Sequence, residues 1–346
     1  MFSGLVGNDS VKHRLRHLLA SGRLPNSLLF AGDDGVGKRQ FALAIAKSFV
    51  CKEPVKGEAC GVCAACRRAG TFVFPKPDNK DGHEVVIFSE HTDVGIVIPY
   101  NRNILVKAVR HLESEANFRP NEARARFFII DNADKMNDSA SNALLKTLEE
   151  PAPTSYLFLI TSRPDALLTT IRSRCQTLRF APVETDAMER FLIDDRAFSH
   201  DEARLAARLS RGSIRRALSV DVDKFREQRT RMLSVVRSAL LTGESAAMLR
   251  ISEEMNDAKN KDRFEENLDI LESVIHDIWT VRVGGDLQQI VNNDIALGIS
   301  ELAESADSDR LALWLADIET IRRNLAVNIN RRVATDALFT AMAANR

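Results

Sequence analysis

Along the first half of the chain, short uninterrupted apolar runs alternate with longer amphipathic stretches. The runs are SLLFAG (27–32), EVVIF (84–88), RFFIID (126–131), YLFLIT (156–161) and TLRF (177–180). A strand with one wet face alternates apolar and polar residues; runs that are apolar throughout belong to strands covered on both sides, with helices as the cover. The pattern predicts an α/β domain on a parallel sheet. Past Pro182 the β-type runs stop and helical periodicity takes over. A capping box, Ser199-x-x-Glu202, precedes Ala203, Leu205, Ala206 and Leu209, and Gly212 ends that helix. Further on, Phe264, Leu268, Leu271, Ile275 and Ile278 recur at spacings of three and four until Gly284-Gly285. Three domains are expected: α/β over 1–184, a small helical domain over 185–242 and a helical bundle over 243–346, the last boundary resting on Thr242-Gly243.

Composition changes this picture in two ways. Of 346 residues, 45% are hydrophobic and 28% charged, which excludes wholesale disorder. Lys and Arg number 48 against 48 Asp and Glu, so no global field draws the chain to nucleic acid or membrane, and any such contact must be local. The opening residues MFSGLVGNDS lack the basic and apolar regions of a signal peptide, and no run reaches the ~18 apolar residues of a spanning helix. A cytoplasmic location is expected.

The five cysteines are unevenly placed. Cys51, Cys60, Cys63 and Cys66 share one short segment, whereas Cys175 stands alone as a small packed apolar residue at a helix-to-strand junction. In a reducing compartment such a cluster binds metal more readily than it forms disulfides. Two C-x2-C steps bring pairs of sulfurs to a tetrahedral ion at ~2.3 Å, and four thiolates leave no open position, so a structural zinc site is predicted. The segment from Val50 to Glu84 is long, aperiodic and turn-rich at FPKPDNKDGH (74–83), so it needs such a clamp. His83 and His91 read as solvated loop histidines rather than ligands.

Nucleotide chemistry is carried by Gly32-Asp33-Asp34-Gly35-Val36-Gly37-Lys38-Arg39, between the first apolar run and a strong helix former. Glycines let the backbone curl so that N–H groups face phosphate, the following helix adds its positive end, and Lys38 reaches the β- and γ-phosphates. One position breaks the pattern: the residue after the lysine should carry a hydroxyl for Mg²⁺, and Arg39 offers no ligand oxygen. A second follows Asp131, which ends an apolar run where a metal-supporting acid belongs. The next residue should be Glu, to act on the attacking water, and Asn132 takes up no proton. With two requirements for hydrolysis missing, the chain is expected not to turn over ATP, although Arg39 can still pair with phosphate. Arg174, in Ser173-Arg174-Cys175, follows a helical stretch expected from Asp165 to Arg172. From position alone it is either a solvated helix-end arginine or a finger offered to a neighbouring subunit's phosphate.

The zinc cysteines between a P-loop helix and the next strand, the run from Asn137 to Pro151 (NDSASNALLKTLEEP) and Ser173-Arg174-Cys175 together resemble bacterial DNA polymerase III clamp-loader subunits of the AAA+ class. The resemblance covers most of 1–220. It implies a P-loop AAA+ domain, an all-α lid and an all-α collar that joins a five-subunit ring. Motor subunits of the tau/gamma type carry Lys-Thr in the P-loop and Asp-Glu after the strand, so Arg39 and Asn132 align this chain with the delta-prime type. By the same resemblance, Arg174 acts in trans on ATP held by the adjacent motor subunit. Thr161-Ser162 corresponds to the sensor-1 region and Gly212-Ser213-Ile214-Arg215 to the start of the sensor-2 helix. The implied partners are tau/gamma and delta subunits, the sliding clamp, and primer-template DNA through the assembly. Zinc is the implied structural cofactor, with ATP or ADP at the degenerate site. Two rivals are a self-sufficient AAA+ ATPase, of tau/gamma type or stand-alone, and a zinc-dependent DNA-binding module reading through Cys60 to Cys66 with Arg67, Arg68 and Lys76.

Overall fold

The computed structural model describes residues 2–257, 263–325 and 329–344. These fall into two compact units, Met1–Ala203 with Ser210–Leu218, and Arg204–Leu209 with Ser219–Arg346.

Six strands form the sheet of the first unit: β1 (Ser27–Ala31), β2 (Ile87–Phe88), β3 (Val94–Val97), β4 (Arg126–Ile130), β5 (Ser155–Thr161) and β6 (Gln176–Arg179). Their order is β2-β3-β4-β5-β1-β6. Every pairing is parallel except β2 with β3. Only Ser89 to Asp93 separate those two strands, far too few for a crossover, so the chain must turn back on itself. Four of the expected strands match within one or two residues. EVVIF contributes only Ile87 and Phe88, and β3 was not expected: VGIV is short, and its glycine weakens the strand signal. Gly95 is required there because a Cβ would meet Val86 Cγ1.

Alternation along each strand sorts the core into two layers. Leu28, Phe30, Phe127, Ile129, Phe158 and Ile160 face one side, while Leu29, Phe128, Ile130, Leu157 and Leu159 face the other. Helices α1 (Asp9–Ala20) and α2 (Lys38–Val50) cover the first side. A short α3 (Ala64–Arg68) packs beside α2, with Ala65 in the same core. Helices α4 (Val106–Ala116) and α5 (Asp138–Glu149) cover the second side with Val109, Leu112, Leu144 and Leu148. The Asn137 side chain caps α5 by accepting from the Ala140 N–H at 2.9 Å. Phe41, in the first turns of α2, meets the Phe180 ring edge-on at 5.0 Å, and Phe180 stacks on Phe30 at 5.7 Å. Such ring pairs add about 0.5–1.5 kcal/mol each beyond the area they bury, and here they hold the start of α2 against the strand that feeds it.

The helix expected over 165–172 is broken. A 3₁₀ turn (Pro164–Ala166) precedes α6 (Thr169–Arg172), because Pro164 can start but not continue a helix, and Leu167 and Leu168 are extended. Next come α7 (Thr185–Arg196), α8 (His200–Leu209) and α9 (Ile214–Ser219). The capping box forms: the Ser199 N–H donates to Glu202 Oε2 at 3.0 Å, and the Glu202 N–H donates to Ser199 Oγ at 3.4 Å.

The second unit is helical: α10 (Val222–Arg237), α11 (Ser245–Met255), α12 (Phe264–Arg282), α13 (Ala296–Ser305), α14 (Ser308–Leu325) and α15 (Arg331–Ala344). α12 is central, packed on α10, α13 and α14, and its stripe Phe264, Leu268, Leu271, Ile275, Ile278 is fully buried. α10 runs into a π-turn at Ser238–Thr242, and Gly243 closes it at φ 68°. Buried Asp277 accepts from the N–H groups of Val291 and Asn292 at 3.0 and 2.7 Å, tying the loop after α12 back onto it. No described helix is long and apolar enough to cross a membrane.

Candidate functional site

β5 lies between β4 and β1, so three strand ends converge at one edge of the sheet. The glycine loop follows β1, Asp131 and Asn132 follow β4, and Thr161 ends β5. Clefts at such carboxyl ends are where open α/β sheets bind ligands. A cavity of ≈360 Å³ opens there, its lining including Leu5, Val6, Gly35, Gly37, Lys38, Arg39, Asp131, Asn132, Thr161 and Arg215. Of the residues singled out in the sequence for nucleotide binding, all but Gly32 line the cavity, and the Gly32 carbonyl accepts from Lys38. Leu5, Val6, Phe191 and Arg196 also line it, without having been anticipated; they come from distant segments and form no motif.

The loop has P-loop geometry. Gly35 and Gly37 take φ of 81° and 96°, values that L-residues rarely adopt. Lys38 is 5% exposed and donates to the carbonyls of Gly32 and Asp33, the latter at 2.6 Å. Burial holds its pKa below the usual lysine value, opposed by Asp34 and Asp131. The crown of the loop abuts the turn before α9: the Arg215 N–H donates to the Gly35 carbonyl at 3.3 Å. A Cβ on Gly35 would run into Ser213 Oγ and come within 2.9 Å of Arg215 Cβ. Gly35→Ala should therefore lower the urea midpoint by the equivalent of about 1–3 kcal/mol through backbone strain and displacement of this turn. An unchanged midpoint would show that the loop and turn are not packed together.

Arg39 forms an ion pair with Asp131, and its guanidinium also lies 5.9 Å from the Phe74 ring centroid. The carboxylate expected to support a metal therefore holds a cation from its own chain. Asn132 sits at φ 54° and starts a 3₁₀ turn, Ala133–Lys135, that carries Asp134 inward. Thr161 Oγ1 donates to Asp134 Oδ1 at 2.8 Å and accepts from the Arg163 N–H at 3.0 Å. Arg163 grips the other carboxylate oxygen at 2.9 and 3.2 Å. Burial raises the Asp134 pKa, but the bonds from Arg163 and Thr161 outweigh it and hold it below the ordinary value. Asp134 was missed in the sequence because an Asp four residues past a strand end carries no pattern of its own.

Arg174 lies just past α6. Its Nη1 donates to the Thr170 carbonyl at 2.9 Å, and its Nη2 pairs with Glu149 at 2.7 Å. Both partners are substantially exposed, so the pair contributes little stability, about 0–1 kcal/mol at most. Neighbouring Cys175 is buried, and burial pushes its thiol up to about 12, as a packed apolar residue requires.

The four clustered cysteines meet. Cys51 Sγ lies 3.6 Å from Cys60 Sγ and 4.0 Å from Cys63 Sγ, and all four sulfurs lie within 4.8 Å of one another. Tetrahedral bonds of ~2.3 Å place sulfurs about 3.8 Å apart, so the spacing fits one metal ion. Backbone N–H groups of Cys60 and Cys63 donate to the sulfurs of Cys51 and Cys60 at 3.3 and 3.4 Å, which favours thiolate. Backbone N–H groups from Lys52 and Cys66 bring the Cys63 thiol down to about 6, whereas burial pushes the Cys66 thiol up. Four clustered sulfurs, those of Cys51 and Cys66 buried, could hold a metal ion as thiolates. Arg68 is committed to Glu122 by a two-pronged pair at 2.9 and 2.6 Å.

His83 and His91 are not solvated: both are buried, because the segment folds down onto the edge of the sheet. His91 Nδ1 accepts from the Asp93 N–H at 3.3 Å, and Asp93, Glu122, Arg68 and Lys52 supply the nearby charges. Burial holds the His91 pKa below 6.5. The unfolded chain therefore takes up this proton first, and stability from neutral His91 is present above about pH 6.5 and lost as pH falls toward the folded value. His91→Gln should flatten the fall in urea midpoint below about pH 6.5; an identical fall in both proteins would place the acid sensitivity elsewhere.

A parallel sheet with a glycine-lysine loop after β1, an acid at the end of β4 and a hydroxyl at the end of β5, followed by helices, defines a P-loop protein of the AAA+ class. The sequence profile described as "DNA polymerase III, delta subunit" matches residues 7–184, just over half the chain, and that described as "DNA polymerase III, delta subunit, C terminal" matches 223–340. The chain belongs to the DNA polymerase III delta-subunit family. Among its relatives, the Bacillus subtilis "DNA polymerase III subunit delta'" is 29% identical, with 89% of this chain and 88% of that one covered. The Escherichia coli protein of the same description is 28% identical over 92% of this chain and 89% of its own. The Escherichia coli "DNA polymerase III subunit tau" is 30% identical over 63% of this chain and 32% of its own.

Proposed function

We propose that the chain serves as a delta-prime-type clamp-loader subunit. In this reading it is an AAA+ partner that does not hydrolyse ATP, assembles with tau/gamma and delta subunits in the cytoplasm, and helps place a sliding clamp on primed DNA. The observation that carries the reading is the Arg39–Asp131 ion pair, which puts a side-chain cation on the carboxylate a catalytic magnesium would need. Asn132 adds that no general base follows the acid. The delta-prime relatives match through the helical second unit as well, whereas the tau match covers 63% of the chain. Within the assembly, residues 1–184 would hold the degenerate site and a zinc module at Cys51, Cys60, Cys63 and Cys66. Residues 185–242 would form the lid and 243–346 the collar.

Arg174 would serve a neighbour's site. It is substantially exposed, it is weakly held by Glu149, and it stands on a turn anchored by buried Ile171 and Cys175. A guanidinium so placed can leave its carboxylate for a phosphate at little cost. The purified chain should show no Mg²⁺-dependent ATP hydrolysis above background and should copurify with clamp-loader subunits. Robust turnover by the isolated chain would overturn this reading in favour of a self-sufficient ATPase.

A further inference from the structure

Glu149 stands where a helix gains nothing from a carboxylate. It is the last residue of α5, whose C-terminal end carries the partial negative charge of unpaired carbonyls, and exposed Glu150 follows it directly. Buried Leu144 and Leu148 fix that end of the helix against the sheet, so the carboxylate has a rigid support. What it gains is a cation. Arg174 Nη2 reaches it at 2.7 Å, while Nη1 is spent on the Thr170 carbonyl at 2.9 Å. Arg172, the other guanidinium of this turn, is taken by Asp165 at 2.6 Å, so the two arginines answer to different carboxylates.

A guanidinium binds carboxylate and phosphate through the same N–H edge, so each excludes the other. Glu149 therefore competes with any phosphate for Arg174. Its hold is slight: with the two side chains 35% and 49% exposed, the pair is favoured by a factor of about five at most. A polyphosphate brought into contact carries more charge than one carboxylate and displaces it, whereas one a few ångströms further off is screened by water and does not. Such a contact sets a threshold of proximity.

We propose that Glu149 is a positioning residue that withholds Arg174 from a neighbouring subunit's nucleotide until the phosphate is close enough to displace the carboxylate. The proposal rests on Arg174 acting in trans, as in the proposed function. The test measures ATP turnover of the reconstituted clamp-loader complex with and without primed DNA and clamp. It compares wild type, Glu149→Ala, Glu149→Gln, Arg174→Ala and the combined Glu149→Ala, Arg174→Ala variant. Without DNA and clamp, both single Glu149 variants should turn over about two- to fivefold faster than wild type, since either removes the competing charge. The rise should vanish when Arg174 is absent, which a merely structural role for Glu149 would not require. Urea midpoints should match wild type at this exposed position, so the comparison is between folded proteins. Unstimulated turnover equal to or below wild type in the Glu149 variants, or a rise that persists without Arg174, would overturn the proposal. If Arg174→Ala alone still lowers DNA-stimulated turnover, those outcomes leave the trans reading standing. Stimulated turnover equal to wild type in Arg174→Ala would instead fail the trans reading, and the proposal with it.

Discussion

Replacing Arg174 with alanine should reduce DNA-stimulated ATP turnover of the reconstituted clamp-loader complex by about 10³-fold or more, with folding and assembly intact. The size of the effect reflects what one guanidinium contributes when it meets developing charge on a transferred phosphoryl group in a site it does not itself form. The structure explains why folding should survive. Arg174 is partly exposed, and its bonds run to the Thr170 carbonyl and to Glu149 at the surface, so truncation leaves no buried group without a partner. Lysine at this position should rescue poorly, because an ammonium lacks the planar fork that matches phosphate oxygens. Steady-state turnover with primed DNA and clamp is the measurement, and turnover equal to wild type would remove Arg174 from the mechanism.

The second large effect should come from the cysteine cluster. The purified chain should contain one zinc ion, and Cys66→Ser or chelation should release it and expose residues 51–70 to protease. Apparent metal-binding energies of about 10–16 kcal/mol are available at such sites, far more than the partly exposed Arg68–Glu122 and Arg16–Glu58 pairs contribute to this segment. The small core around the cluster comprises Cys51, Ala59 and Cys66, with Cys60 and Cys63 packed against it. Ala65 and Ala69 continue into the main core, so the damage should stop there and leave the sheet folded. Elemental analysis and limited proteolysis with mass mapping are the checks. Metal-free protein with the same cleavage pattern as wild type would mean that the sulfurs meet for packing alone.

Legibility in the sequence followed the range of the forces. Strands buried on both faces announced themselves because Phe127 to Ile130 and Leu157 to Ile160 need apolar residues at every position. The capping box at Ser199 and the stripe on α12 were equally plain, being set by local periodicity. β3 was hidden by Gly95, whose reason for being there is Val86, just before β2. The break before α6 was underweighted although Pro164 signals it. At the site, residue types with fixed spacing were readable: the glycines, Lys38, and the cysteines that do gather. What stayed invisible were pairings across the fold. Nothing in the run DNADK marks Asp134 as the partner of Thr161 and Arg163, and nothing near Arg39 points ahead to Phe74. Burial of His91 depends on how a long segment drapes over a sheet edge, which periodicity does not encode.

The hydrogen bond from the Arg215 N–H to the Gly35 carbonyl bears on how far this site can move. A ligand shifts a conformational equilibrium only by binding one state better than another. In this chain the crown of the phosphate loop and the start of α9 are joined by their own backbone, so phosphate has little closing motion left to drive. Filling or emptying this cavity should therefore leave the subunit's shape almost unchanged. In the proposed assembly this chain would be the fixed reference against which its neighbours' movements are measured.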